Sequence, residues 1–276
     1  MNINDITFVI TTFKSEKIIF DCINSLPENS HKIVIENSNN HQMKLDLEKK
    51  YKNIECHIME ANLGYGRANN YGIKKAKTKY VLILNPDAKL NSNTLEGIIN
   101  ILKNQNFCIA SPLENNQNDI NFSNKNFLDV EYVKGFAMLL NLEKMKFGYF
   151  DEQIFLYLEE IDLCKRAKDV GEKILLLNIK IDHVGGFSHG SRDNLEMEKS
   201  RNWHWMWSKF YFNKKHYGYL KAYLKTLPNF ASSIAKFLIY FMIRNKTKKS
   251  IYLMRLSGLL ASYLNKASYY RPFKNE

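Results

Sequence analysis

Cysteine and proline are scarce in this chain, four and five residues among 276. Cys22, Cys56, Cys108 and Cys164 stand far apart, and no pair has the spacing of a zinc finger or a redox motif. Each lies in an apolar stretch and reads as a reduced core thiol, which argues against a disulfide-stapled secreted scaffold. The few prolines and only twelve glycines exclude collagen-like and low-complexity classes. Long apolar runs are missing as well. Residues 6–10 are too short for a secretory leader, and residues 230–243, interrupted by Lys236, fall short of the ~20 residues that span a bilayer. The cytoplasm is the expected location. Acidic residues are few at the C-terminal end: residues 195–276 hold sixteen Lys and Arg against three Glu, while residues 1–194 are close to neutral. What remains is ample for a packed protein. The chain is 45% apolar, which excludes disorder and suffices for one large domain or a domain with an extension.

Four β-rich runs, Ile6–Thr12, His31–Glu36, residues 54–59 and Tyr80–Leu84, alternate with helical patterns at 15–26, 42–51 and 67–77. This alternation predicts an α/β fold with a mostly parallel, Rossmann-like sheet and helices on both faces. Ligands of such sheets sit beyond the carboxyl ends of the strands, so residues 11–13, 36–39, 62–67 and 85–87 are the ones to watch. Farther on, polar residues 114–126 read as an exposed loop and 130–141 as a strand containing Gly135. Residues 156–169 read as an acidic helix, and 174–177 and 179–182 as two short strands. Beyond Asn194 the pattern is helical, with breaks near Gly218 and Pro228. The expected division is a catalytic domain at 1–193 and a basic helical extension at 194–276.

Four groups of residues suit chemistry. Asn85-Pro86-Asp87 follows an apolar strand, and a carboxylate on such a stiff turn suits Mg²⁺, which takes one or two carboxylates plus phosphate oxygens; an ordinary helix-capping turn is the alternative. In residues 62–70, Gly64 and Gly66 allow close approach of a ligand, and Arg67 opens a helix whose free N–H groups favour phosphate. Asn69 and Asn70 need partners inside a helix. Glu159, Glu160 and Asp162 crowd one helix start. Clustered carboxylates gain proton affinity and suit a general base, although an acidic first turn is also favoured by the helix dipole. His183, after a strand and before Gly185-Gly186, has the reach of a metal or phosphate ligand, or is a structural histidine.

Taken in order, these pieces resemble the inverting glycosyltransferases of family 2, which have the GT-A fold, and within them the rhamnosyltransferase-like branch of bacterial surface polysaccharide synthesis. The matched residues run from Ile6 to about His189 and include Glu36-Asn37-Ser38, Lys134-Gly135-Phe136-Ala137-Met138 and Phe150-Asp151-Glu152. The resemblance implies that Thr11, Thr12, Phe13 and Glu36 line the base and ribose. Asn62, Gly64, Arg67 and Asn70 would lie along the nucleotide sugar, with Asn85 and Gly135. Asp87 and His183 would hold Mg²⁺ or Mn²⁺ on the diphosphate. Glu160 would be the base, with Glu159 orienting it and Asp162 next in line. Glu36, Asn85 and Glu160 stand where the family usually has Asp. The implied activity moves a sugar, rhamnose by the branch, from a nucleoside-diphosphate donor to a glycan or lipid-linked acceptor. A single base without a second nucleophile implies inversion.

The basic tail allows two readings: docking on the anionic inner face of the cell membrane, or a helical extension that packs on the domain or forms a homodimer. Trp203, Trp205 and Trp207 alternate and cannot share a helix face, so most are expected in the core and some at the acceptor cleft. Two other functions compete. A basic binding protein without catalysis, on nucleic acid or membrane, fits the net charge of +12. Confinement of the charge to the tail argues against nucleic acid. A sugar-nucleotide nucleotidyltransferase needs a Gly-rich loop after the first strand, and residues 11–16 contain no glycine.

Overall fold

A computed structural model describes residues 1–117, 119–183 and 195–272. The boundary expected at 193 and the glycines after His183 lie outside the described residues. The chain divides into two units, Met1–Phe150 with Glu160–Arg192, and Asp151–Glu159 with Asp193–Glu276.

The strands of the first unit are β1 (Ile6–Thr12), β2 (His31–Glu36), β3 (Ile54–Ile58), β4 (Tyr80–Leu84), β5 (Ala88–Lys89), β6 (Ile109–Glu114), β7 (Phe127–Asp129), β8 (Ala137–Asn141) and β9 (Ile174–His183). They order as β3-β2-β1-β4-β8-β6-β9-β5, with β7 on β9. The β3-β2-β1-β4 half is parallel, as the alternation predicts; beyond β4 the sheet is mixed, because β8 runs antiparallel to both β4 and β6. Register aligns Thr12 with Glu36 and Ile10 with Leu84, so the polar residues after β1, β2 and β4 emerge at one edge.

Alternation along β1 fills both faces. Phe8 and Ile10 join one core with α1 (Ile19–Asn24), α2 (His41–Lys50) and α4 (Ser92–Leu102). Val9 joins the other, with α3 (Tyr65–Lys75) and α5 (Glu159–Asp169). Gly72 permits the close seat of α3 on β1, since a Cβ there would meet Val9 Cγ1 at 2.5 Å.

The structure corrects four local expectations. Both α4 and β6 lie where the sequence pattern predicts no element; Pro112 and two polar residues interrupt the apolar run of β6. Glu114, expected in an exposed loop, is the buried last residue of that strand. The two short strands expected at 174–182 are one strand with an irregularity where the break was expected: Ser111 and Leu113 of β6 pair with Leu176 and Lys180, so three residues of β9 stand opposite Pro112. The break expected at Pro228 is absent, because the ring takes an exposed position and costs the helix one hydrogen bond.

The second unit contains α6 (Leu195–Tyr217), α7 (Tyr219–Met242) and α8 (Lys246–Tyr263). Helix α8 approaches α6 at Gly258, where a Cβ would come within 2.2 Å of Trp203 O. Trp203 and Trp207 are buried, donating to Ser257 Oγ at 3.2 Å and to Lys266 O at 2.9 Å. Trp205 is outside and meets the Tyr157 ring edge-on.

His204 is buried between Tyr270 O and Ser268 Oγ, 2.8 and 2.9 Å from its ring nitrogens, and is stacked on Phe155. Burial pushes its pKa from 6.5 down to about 3, and nearby Arg271 acts in the same direction. A histidine held neutral in the fold stabilises it fully above pH 6.5 and progressively less below, as the unfolded chain takes up the proton. Between pH 6.5 and 3 the loss is expected to reach roughly 4–5 kcal/mol. Urea unfolding against pH should show this slope in the wild type and a much smaller one in His204→Gln.

Candidate active site

Most of the residues flagged at the strand ends hold the edge together. Thr12 is buried and donates to Ile35 O at 3.3 Å. Glu36 is fully buried; its Oε1 accepts from Ser38 N at 2.9 Å and from Ser38 Oγ, and its Oε2 accepts from Asn40 N at 2.6 Å. Both oxygens are thus engaged by the turn that follows. Asn70 pairs both ends of its amide with the backbone of Phe150, at 2.9 and 3.0 Å. It docks that segment against α3.

Other residues keep polar groups near the edge. Thr11 is half-buried and donates to Asn69 Oδ1 at 2.9 Å. Ser15 Oγ accepts from Phe13 N at 3.1 Å. The loop before α3 is shaped by Asn37, one of the residues flagged after β2 but given no role of its own. Its amide bridges Asn62 Oδ1 at 3.0 Å and Gly64 O at 3.3 Å, and its Oδ1 accepts from Leu63 N at 2.9 Å. Gly64 caps α3 at φ +82°, a conformation that favours glycine. Arg67 is exposed in the first turn of that helix, where N–H groups and dipole favour phosphate.

Asp87 and His183 come together. Strand pairing sets Ala88 opposite His183, and His183 Nε2 lies 3.4 Å from Asp87 Oδ1. On the other side of the ring, His183 Nδ1 is 2.7 Å from Glu114 Oε1. Glu114 Oε2 in turn accepts from Lys134. Lys134, Glu114, His183 and Asp87 therefore form a chain of alternating charge.

Burial alone would lower the His183 pKa, but the Asp87 and Glu114 carboxylates outweigh it and hold the ring above its ordinary value. Burial would raise Glu114, but Lys134 and His183 hold it below the usual carboxylate range. Glu114 is the residue that sequence reasoning missed. Its signal was faint: one acid at the end of an interrupted apolar run.

The loop bearing Lys134 links this chain to the acidic helix. Gly135 faces Glu160, where an added Cβ would sit 3.5 Å from Glu160 Cβ. Tyr65 OH donates to Gly135 O. Next along the chain, Phe136 stacks on the His183 ring with centroids 4.7 Å apart, and its carbonyl accepts from Asn85 N at 2.8 Å. Three consecutive residues thus touch Glu114, Glu160 and His183 in turn.

Glu160 is half-buried at the start of α5, and desolvation raises its pKa above that of an ordinary glutamate, while the N–H groups of Glu160 and Ile161 pull weakly the other way. Asp162 is fully buried and accepts from Arg166 Nε at 2.8 Å. Arg166 also donates to Phe147 O at 3.2 Å and to Tyr149 O, so this carboxylate anchors the segment before the helix. Glu159 is buried and belongs to the helical unit. It follows Tyr157 and Leu158, both at φ +69°, a left-handed pair that costs roughly 1–2 kcal/mol per residue. Strain of this kind clusters where a backbone must aim side chains.

Among the described residues, no group of three or more His, Cys, Asp or Glu side chains forms a closed metal cage. Buried His183 Nε2 nevertheless has no well-aligned hydrogen-bond partner among the described residues, and it faces a carboxylate oxygen. With Nδ1–H given to Glu114, Nε2 presents a lone pair once its own proton has left, and a cation bound there would displace that proton. One imidazole nitrogen and one carboxylate fit a cation that takes its remaining ligands from phosphate and water.

Comparison with known proteins gives the same outline. A family model described as "Glycosyl transferase family 2" matches residues 7–164. The chain is 24% identical over 195 residues to the low-salt glycan biosynthesis hexosyltransferase Agl10 of Haloferax volcanii, across 60% of this chain and 62% of that protein. It therefore spans about three fifths of that relative's length. Among solved structures, the mannosyltransferase PcManGT of Pyrobaculum calidifontis in complex with GDP-Man and Mn²⁺ superposes with a TM-score of 0.60 at 13% identity, over 95% of this chain and 88% of that one. TarS of S. aureus in complex with UDP-GlcNAc superposes with a TM-score of 0.53 at 15% identity, over 96% and 93%. These neighbours share the GT-A fold with this chain.

Proposed function

The chain belongs to glycosyl transferase family 2, and on that premise we propose that it moves a hexosyl group, with inversion, from a nucleoside-diphosphate sugar to a hydroxyl of a glycan or lipid-linked acceptor. Rhamnose is the donor sugar the motifs suggest, and synthesis of a surface polysaccharide is the setting. The observation that carries the reading is the loop Lys134-Gly135-Phe136. It puts a carboxylate of raised proton affinity, Glu160, one residue away from the ring that faces Asp87.

In this reading Asp87 and His183 hold Mg²⁺ or Mn²⁺. When bound, the cation neutralises charge growing on the departing diphosphate. Glu114 accepts a hydrogen bond from His183 Nδ1–H and so aims Nε2 at the site. Arg67 and the N-terminus of α3 attract phosphate. Glu160 accepts the proton of the acceptor hydroxyl as its oxygen bonds to the anomeric carbon and the carbon–oxygen bond to phosphate breaks. Thr11, Asn62, Gly64 and Asn85 line the donor, while Glu36, Thr12 and Asn70 keep the edge in shape. The enzyme would work at the inner face of the cell membrane; among the described residues no helix is long and apolar enough to cross one.

A thermal-shift series with UDP-, GDP- and dTDP-linked sugars tests the proposal. Stabilisation by at least one donor is expected, and only with Mg²⁺ or Mn²⁺ present. At a hundredfold excess over Kd the gain is about 2.7 kcal/mol, a shift of a few degrees. Indifference to every nucleoside diphosphate in saturating Mn²⁺ would defeat it. Glu114→Ala is expected to weaken Mn²⁺ binding about 10–100-fold, as loss of an outer partner of a metal-bound histidine does. Glu114→Gln, which still accepts from Nδ1, should recover part of that in a titration followed by electron paramagnetic resonance.

A further inference from the structure

Helix α7 is amphipathic the wrong way round for a helix packed in a bundle. The residues it buries are Ala222, Thr226 and Ser233, small or hydroxylic. Thr226 and Ser233 turn their hydroxyls back to the helix, onto Ala222 O at 2.8 Å and Asn229 O at 2.7 Å. Phe230 is half-buried against the core of this unit, and most of the other large apolar side chains are outside. Leu220, Leu224, Leu227, Ile234 and Leu238 recur every three, four or seven residues and so line one face, opposite the buried one. Leu220 is 70% exposed and Leu224 59%. The stripe ends in Phe241, Met242 and Ile243, 59%, 71% and 62% exposed. Single exposed leucines are ordinary; a continuous stripe along a helix of 24 residues marks a surface made for an apolar partner.

Charge says which partner. Lys221, Lys225 and Lys236 are exposed along one flank of the stripe, and Arg244, Lys246, Lys248 and Lys249 follow its apolar tip. Lys225 lies 4.2 Å from the centre of the Tyr217 ring and Lys249 5.4 Å from that of Phe241. From Lys199 to Asn275 the chain has no acidic residue at all. Two copies joined through this face would set lysine rows against each other without a compensating carboxylate from the tail. An anionic bilayer complements both features, taking the leucines into its acyl boundary while the lysines reach the headgroups. We propose that α7, with the cationic turn that follows it, is a docking surface for an anionic lipid bilayer. The surface deepens the reading of a lipid-linked acceptor, on which its purpose rests, and places that acceptor's partner membrane on α7.

Co-sedimentation of the full protein with vesicles tests it. Binding is expected to vesicles of phosphatidylcholine mixed with phosphatidylglycerol, and little to phosphatidylcholine alone. Lys246→Gln, Lys248→Gln and Lys249→Gln together should weaken partitioning on the order of a hundredfold, about fivefold per cation. The double variant Leu224→Gln, Leu238→Gln removes exposed side chains only and should weaken it at least about tenfold. Wild-type protein left in solution with the anionic vesicles, or undiminished binding by the leucine variant, would overturn the proposal. So would sedimentation equilibrium showing a dimer that the leucine variant disperses, with no retention on vesicles. Mn²⁺-dependent binding of UDP, GDP and dTDP, measured on the same samples, keeps the two readings apart. If nucleotide binding persists while vesicle binding is absent, the docking surface alone is lost. If vesicles bind but no nucleotide does, the surface stands and the catalytic reading is lost.

Discussion

Glu160→Gln is expected to bind the donor and the cation as the wild type does and to lose transfer by about 10²–10⁴-fold, the range that a positioned general base contributes. The amide keeps the size and much of the hydrogen bonding of the carboxylate but takes up no proton. The loss should therefore fall on kcat, with the donor-induced thermal shift intact. The wild type carries a matching pH signature. Desolvation raises the Glu160 pKa, so below that value the carboxyl holds its proton and cannot act. The acid limb of kcat/KM should consequently lie above the ordinary glutamate range, with activity rising as pH increases through it. Asp162 supplies the control. Its carboxylate is buried on Arg166, and breaking such a pair costs roughly 3–5 kcal/mol of stability. Asp162→Asn should thus lower the melting temperature while leaving residual folded enzyme active. Normal transfer by Glu160→Gln, with folded but inactive Asp162→Asn, would reverse the assignment.

Asp87→Asn is expected to remove the cation-dependent part of donor binding. Asp87 is almost fully buried, with His183 Nε2 at 3.4 Å. Replacing a charged oxygen by an amide at that position should weaken Mn²⁺ binding by more than the about 10–100-fold that loss of an outer partner costs. Transfer should fall with it, because the leaving diphosphate would lose its counter-charge. Calorimetric titration of Mn²⁺ in the presence of a nucleoside diphosphate measures the first effect directly. Unchanged Mn²⁺ affinity in a folded Asp87→Asn protein would remove Asp87 from the cation site. The enclosure of the carboxylate makes a second outcome readable: the variant should keep its secondary structure by circular dichroism, since His183 retains its bond to Glu114.

Apolar β-rich runs such as ITFVITT and YVLIL, alternating with helical patterns and ended by polar residues, were enough to anticipate the parallel half of the sheet and the edge at which its strands stop. The second half was harder to read because its strands are less regular. Pro112 interrupts β6, and the polar 115–126 segment that follows hides the buried acid at its end. Site residues divided in the same way. Asp87, His183 and Glu160 were recognisable as groups suited to the chemistry. Sequence could not tell that Glu36 and Asn70, equally polar and equally placed, use their side chains on the turn after β2 and on Phe150.

By itself the sequence determined the chemistry available: which strands form the parallel half of the sheet, which carboxylates and imidazole follow strands, and that the excess positive charge lies beyond residue 194. Only the tertiary structure decided how those groups are used. Local periodicity reports whether a side chain is apolar or polar, but the partner of a polar group lies dozens of residues away. Glu114 and His183 are 69 residues apart in the chain, yet Oε1 of one lies 2.7 Å from Nδ1 of the other. For the same reason the pattern of α7 shows an apolar face without saying whether it turns inward. Packing of α7 on α6 and α8 through Ala222, Thr226 and Ser233 left that face outside.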